Sequence, residues 1–176
     1  MRCSTPWGAA LAAAAFSAAA AAAPAAKPHA DAGFARKAAA AGMDEVEAGK
    51  LARERAQDEA VRSFAQRMVD DHTRAGEQLS AIAQAEGFSV PDKLDKSGEQ
   101  DLDKLTKLHG HDFDVAYMKH NVSAHKTAVK DFGKEAKSGK DERLRRFAAD
   151  TLPTLKEHLE LAQSAAQAVG ASKKHP

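Results

Sequence analysis

Residues 59–87, EAVRSFAQRMVDDHTRAGEQLSAIAQAEG, decide how this chain folds. Val61, Phe64, Met68, Ala75, Leu79 and Ile82 recur at alternating threes and fours, which places them on one face of an α-helix. Asp58 stands ahead of the run as an N-cap, Gly87 closes it, and Pro91 follows as expected beyond a helix stop. The centre of this apolar seam is His72. A buried polar ring needs a partner, because leaving one unsatisfied costs about 1–3 kcal/mol.

The pattern recurs. A helix from about His111 to Lys137 carries Met118, Val122, His125, Val129, Phe132 and Ala136. A helix from Asp141 to about Val169 carries Leu144, Ala148, Thr151, Leu155, His158, Ala162, Ala165 and Val169. The first helix, from about Gly33 to Ala56 with Asp31 as its cap, carries Phe34, Ala38, Ala41, Glu45, Ala48 and Ala52. A second stripe on that helix, Met43, Glu47 and Leu51, makes Glu47 the acid instead. These titratable residues lie near mid-helix, His158 being displaced by about 4.5 Å along its axis. Residues near the midpoints meet at one level whichever way each helix runs.

Connection lengths set the topology. The first and second helices, and the third and fourth, are joined tightly and form antiparallel hairpins. Residues 88–110 link the hairpins. In this link Ser97-Gly98-Glu99-Gln100 matches a capping box and opens a short helix to about Lys107, with Gly110 ending that piece. Two hairpins joined by a long crossover make an all-α, ferritin-like four-helix bundle over residues 33–169. Pro153 inside the last helix removes a backbone donor and is expected to kink it. Residues 64–72 and 117–125 align without gaps from aromatic to histidine, a faint internal repeat.

The ends read differently. Residues 1–25 combine Arg2, an alanine-rich apolar run and Ala23-Pro24-Ala25, the pattern of a cleaved export signal. Residues 26–32 are a linker and 170–176 a flexible tail. Cleavage removes Cys3, the single cysteine, and excludes disulfides and thiolate metal sites. It also removes Arg2, leaving equal numbers of basic and acidic residues, so no basic surplus points to nucleic acid. No transmembrane segment is expected in the mature chain, and its location is periplasmic or otherwise exported. The partner is left open between a second copy of the chain and an envelope protein.

His72, His125 and His158, with Glu45 or Glu47, suit two kinds of chemistry. They can satisfy one another as a structural polar network. They can also hold one divalent metal, zinc or copper, through neutral imidazoles and a carboxylate. Asp71 and Glu157 adjoin two of the histidines in sequence. A side chain one residue along points about 100° away, so both are expected behind the ligands and not among them. His109 and His111 bracket a turn, His120 falls off the seam, and His29 and His175 lie towards the ends. Phosphate loops, nucleophile elbows and dinucleotide fingerprints are missing.

Four blocks of the sequence carry a resemblance. They are Glu45-Val46-Glu47-Ala48-Gly49-Lys50-Leu51-Ala52, Val61 to Thr73, Gly110 to Met118 with His125, and Thr151-Leu152-Pro153-Thr154-Leu155-Lys156-Glu157-His158-Leu159. In these the chain resembles the bacterial domain-of-unknown-function family 4142, over nearly all of residues 33–168. The resemblance implies a ferritin-like bundle and an exported location, and no established reaction. Members often have an acid before the third helix's histidine, where this chain has Ala124. Di-iron members of the wider ferritin-like clan need Glu-x-x-His on two helices. Here Val69, Val122 and Leu155 stand three residues before the histidines, which disfavours a six-ligand site.

The leading expectation is a non-catalytic binding or structural module of the cell envelope. A mononuclear metal-binding protein comes second, and a redox enzyme of ferritin-like descent third.

Overall fold

Asp58 begins α2 (Glu59–Ala85) as its place ahead of the apolar run requires. Its Oδ1 accepts from the backbone N–H groups of Ala60 at 2.8 Å and Val61 at 3.3 Å. At the other end Gly87 takes φ +75°, and the Phe88 N–H reaches the Ala83 carbonyl at 3.0 Å. The computed structural model describes residues 31–170. The expected export signal, residues 26–30 of the linker and residues 171–176 of the tail lie outside them. The other helices are α1 (Ala32–Arg55), α3 (Lys96–Thr106), α4 (Gly110–Ser138) and α5 (Glu142–Ala168), with no strand among the described residues.

The long helices form a ferritin-like bundle. α1 packs along α2 and α4 along α5; α1–α4 and α2–α5 contacts join the two hairpins, and α3 lies in the crossover against α1. Gly49 sets how closely α1 approaches α2. A methyl group there would lie 3.0 Å from Val69 Cγ2 and 3.1 Å from the Ala65 carbonyl oxygen. α5 runs unbroken through Pro153.

The caps differ from the sequence expectation in two places. Asp95, not Ser97, starts α3, accepting from the N–H groups of Ser97 at 2.8 Å and Gly98 at 2.9 Å. Gly110 is the first residue of α4, whereas α3 already ends at Thr106. Asp31 precedes α1 but makes no side-chain bond to it. Its Oδ2 accepts instead from the backbone N–H groups of Lys140 and Asp141, both at 2.6 Å, in the turn between α4 and α5.

Asp114 does the reciprocal task. From α4 its two carboxylate oxygens accept the N–H groups of Gln57 at 3.1 Å and Asp58 at 2.9 Å, in the turn between α1 and α2. Each tight turn is therefore held by an acid from the other hairpin, through charge-assisted bonds that neither hairpin could make alone. Asp114 is only 2 % exposed. Asp114→Ala is expected to lower the free energy of unfolding by about 2–3 kcal/mol, since it strands two backbone donors. Urea denaturation reads this, and an unchanged midpoint would remove the clasp from the account.

The core falls into two apolar clusters. One contains Phe64, Met68, Phe113, Tyr117 and Met118; the other contains Leu79, Phe132, Leu144, Phe147 and Leu155. The seams read on α2 and α5 match these clusters closely. On α1 the first half of the seam is rotated: Ala32, Ala35 and Ala39 are buried, while Ala41 is exposed. Residues 38–41 are four consecutive alanines, so apolarity there cannot tell one helix face from the next. The histidines lie between the two clusters.

Candidate metal centre

Each histidine is carried inward by a helix whose apolar seam is buried on both sides of it. The rings of His72, His125 and His158 form a nearly equilateral triangle, with centroids 5.6, 5.5 and 5.4 Å apart. One nitrogen of each ring lies within 4.8 Å of one from each of the others. His125 and His158 are each 1 % exposed.

Hydrogen bonds orient two of the rings from behind. His125 Nδ1 lies 3.0 Å from the carbonyl oxygen of Asn121, one turn earlier on α4, and donates to it. His158 Nε2 lies 2.8 Å from Asp71 Oδ2 and donates to that carboxylate. Each bond assigns the tautomer and leaves the other nitrogen with a free lone pair. Those other nitrogens, His125 Nε2 and His158 Nδ1, are buried without a hydrogen-bond partner, as is His72 Nε2. Each of the three rings thus carries one buried nitrogen without a hydrogen-bond partner, on rings whose centroids are 5.4 to 5.6 Å apart. Even if His72 presents a proton at Nε2, it can answer only one of the other two lone pairs.

A cation on these nitrogens would gain two rings already held by outer hydrogen bonds, the arrangement that fixes metal-bound imidazoles. At the 4.8 Å limit a common centre lies about 2.8 Å from each nitrogen, against about 2.0–2.1 Å in a zinc–imidazole bond. Holding an ion would require the rings to close by up to about 0.7 Å each.

The expected acids are placed unequally. Glu45 is buried, 4 % exposed, with Oε1 3.8 Å from His125 Nδ1 and Oε2 without a partner. That is the nitrogen already bonded to Asn121, so Glu45 stands behind the His125 ring and outside the three-histidine set. Glu47 lies at the surface and pairs with Lys50 at 2.7 Å. Asp71 backs His158, a ring on another helix, and not its neighbour His72. Arg67 reaches both Asp71 at 3.5 Å and Glu157 at 2.9 Å, and Arg74 also pairs with Asp71. Glu157 is thereby held at the surface, at the end of this chain of charges. His109 and His111 are exposed, and His120 is half-buried away from the triangle.

Burial keeps the rings uncharged. It pushes His72 down to about 3, and the neighbouring His125 and His158 add to the shift. It pushes His125 down to about 4 against the opposing bond to Asn121, and lowers His158 against the bond to Asp71. Burial and then the Asp44 charge push Glu45 up to about 8. Burial also raises Asp71, but the bond to His158 and the charges of Arg74 and Arg67 outweigh it and hold the carboxyl below its usual range.

These shifts fix a pH profile for the metal-free protein. A histidine whose pKa falls on folding contributes stability that is complete above its ordinary 6.5 and is lost as pH drops. Glu45, raised on folding, contributes stability that is complete below its ordinary 4.5 and is lost as pH climbs towards 8. Below pH 6.5 the lowered histidines His72, His125, His158 and His120 work against Glu45 and Asp44, which burial raises, and stability falls on acidification. Between pH 6.5 and 8 Glu45 acts alone, with the opposite slope. Urea unfolding in EDTA is therefore expected to show a maximum near pH 6.5, and a flat profile would refute the neutral triad.

Tyr117 and Asn121 escaped the sequence reading. Both are buried, and Asn121 Nδ2 donates to the Tyr117 carbonyl oxygen at 2.9 Å. Phe113, Tyr117, Asn121 and His125 form a strict row at intervals of four along α4, which was the available signal. The seam drawn through Met118 and Val122 runs beside it.

The comparisons agree with this architecture. The chain is similar to a candidate secreted protein, DUF305, from Streptomyces coelicolor, at 19 % identity and a TM-score of 0.70, over 84 % of this chain and 98 % of that one. It is similar also to a DUF305 fragment from Deinococcus radiodurans, at 14 % identity and a TM-score of 0.69, over 80 % of this chain and 99 % of that one. At such identities the likeness concerns the fold. A search of curated proteins gives no match. The family model described as Domain of unknown function (DUF4142) matches residues 15–165, taking in all three histidines, Glu45 and both hairpins, and the chain belongs to that family.

Proposed function

We propose that this protein is a non-catalytic metal-binding bundle of the exported compartment, holding one divalent ion on His72, His125 and His158. The observation that carries the proposal is the close set of three histidine rings, each with one buried, unpartnered nitrogen, two of them fixed in orientation by Asn121 and Asp71. As a purely structural network the cluster is poor, because lone pairs meet lone pairs and each unanswered one costs about 1–3 kcal/mol. A cation satisfies all three. Neutral nitrogen ligands suit zinc and copper.

The missing carboxylate in the triangle favours a single ion over a di-iron pair, since the latter needs bridging acids. Export is supported by the leader-like first 25 residues and by the likeness to a candidate secreted protein. Among the described residues no helix is long and apolar enough to cross a membrane.

Elemental analysis of tag-free protein tests the assignment. About one zinc or copper per chain is expected after loading and dialysis, with retention lost in His72→Ala and in His125→Ala. Failure to retain zinc, copper, iron or manganese, with an unchanged melting temperature, would return the cluster to a structural role.

A further inference from the structure

The triangle borders a cavity. A space of about 360 Å³ lies between the hairpins, walled by apolar side chains that include Leu79, Val90, Phe132, Phe147 and Leu155. His72, His125 and Glu45 contribute to its wall, and His158 does not. Exposed Gly76, Ser80 and Asp92 mark where it reaches the surface, beside the segment that follows α2. Small residues at Ala38, Gly42, Ala75 and Ala128 leave the room. Two groups in the wall, His125 Nε2 and Glu45 Oε2, are buried and without partners.

We propose that this cavity receives the alkyl chain of a small monocarboxylate whose head group coordinates the ion held by the three histidines. The inference rests on the metal-binding reading above. Charge selects the head group. Three neutral imidazoles leave a divalent ion its full charge in apolar surroundings, which favours an anionic ligand. Asp71 cannot supply that anion, because it is engaged by His158, Arg67 and Arg74. Glu45 stands on the far nitrogen of His125. Shape and polarity select the tail. At roughly 30 Å³ per small group, the volume holds about a dozen non-hydrogen atoms, which matches an alkyl carboxylate of about eight carbons. Such a pocket, apolar with a few polar groups, orients a ligand by its one polar end.

Cobalt(II) reports the head group through its visible spectrum. The full mature protein, loaded with cobalt, is titrated with octanoate, acetate and octanol. Octanoate is expected to change the cobalt bands saturably and to bind about 3,000-fold more tightly than acetate, because six further methylenes leave water. Octanol is expected to leave the bands unmoved. Ala38→Phe, or the smaller Ala38→Leu, fills the cavity away from the histidines; it is expected to retain cobalt and to weaken octanoate about 10-fold.

Bound cobalt with bands indifferent to octanoate, or equal affinity for acetate and octanoate, overturns the cavity assignment and leaves the metal site standing. Octanoate binding undiminished in both Ala38 variants overturns it likewise. Failure to take up cobalt on the three histidines refutes the metal site, and this inference falls with it.

Discussion

Met68→Asp is expected to leave the chain unfolded at 25 °C. Met68 is fully buried in the cluster that contains Phe64, Phe113 and Tyr117, on the seam of α2. Truncating a buried methionine costs about 2–5 kcal/mol. A carboxylate at that depth, among apolar side chains, adds several kcal/mol more for the hydration it loses. The sum approaches or exceeds the about 5–15 kcal/mol that holds an ordinary domain together. Circular dichroism and amide NMR dispersion read the outcome. Gln78→Asp, at an exposed position on the same helix, is the control and is expected to stay folded. A cooperative, native-like Met68→Asp would show that α2 turns a different face inward.

Zinc loading is expected to stabilise the protein by about 4 kcal/mol when free metal stands at about a thousand times the dissociation constant. The gain arises because the ion finds three prepared nitrogens only in the folded state. It should vanish in His72→Ala and shrink only as pH falls towards about 4, where protons begin to compete for the rings. His72 is the better test residue, because neither Asn121 nor Asp71 is bonded to it and its loss strands no partner in those bonds. Thermal or chemical unfolding with and without EDTA measures the difference. Equal stabilisation of wild type and His72→Ala by zinc would place the ion elsewhere, for instance at the exposed His109 and His111.

Much of the fold was legible because helix signals are local. Asp58 and Gly87 bracket α2 by bonds made within a few residues of the chain. The seams of α2 and α5 follow from where large apolar residues recur. The reading slipped where locality or size failed. On α1 the alanine run offers no bulky residue to mark the inner face. At the turns, Asp31 and Asp114 bond to the opposite hairpin, which no spacing rule describes. The same holds for the acids of the site. Sequence position made Asp71 the neighbour of His72, whereas packing of α2 against α5 makes it the partner of His158.

By itself the sequence determined five helices, their order, the ferritin-like connection and the common level of three histidines, because caps, helical period and linker lengths are properties of the chain alone. Tertiary structure alone decided which nitrogens of His125 and His158 are hydrogen-bonded, that Glu45 backs His125 while Glu47 pairs with Lys50, and that a cavity lies alongside. Those outcomes depend on how helices rotate and approach one another to within a few ångströms, and that is settled only when side chains from separate segments compete for the same volume.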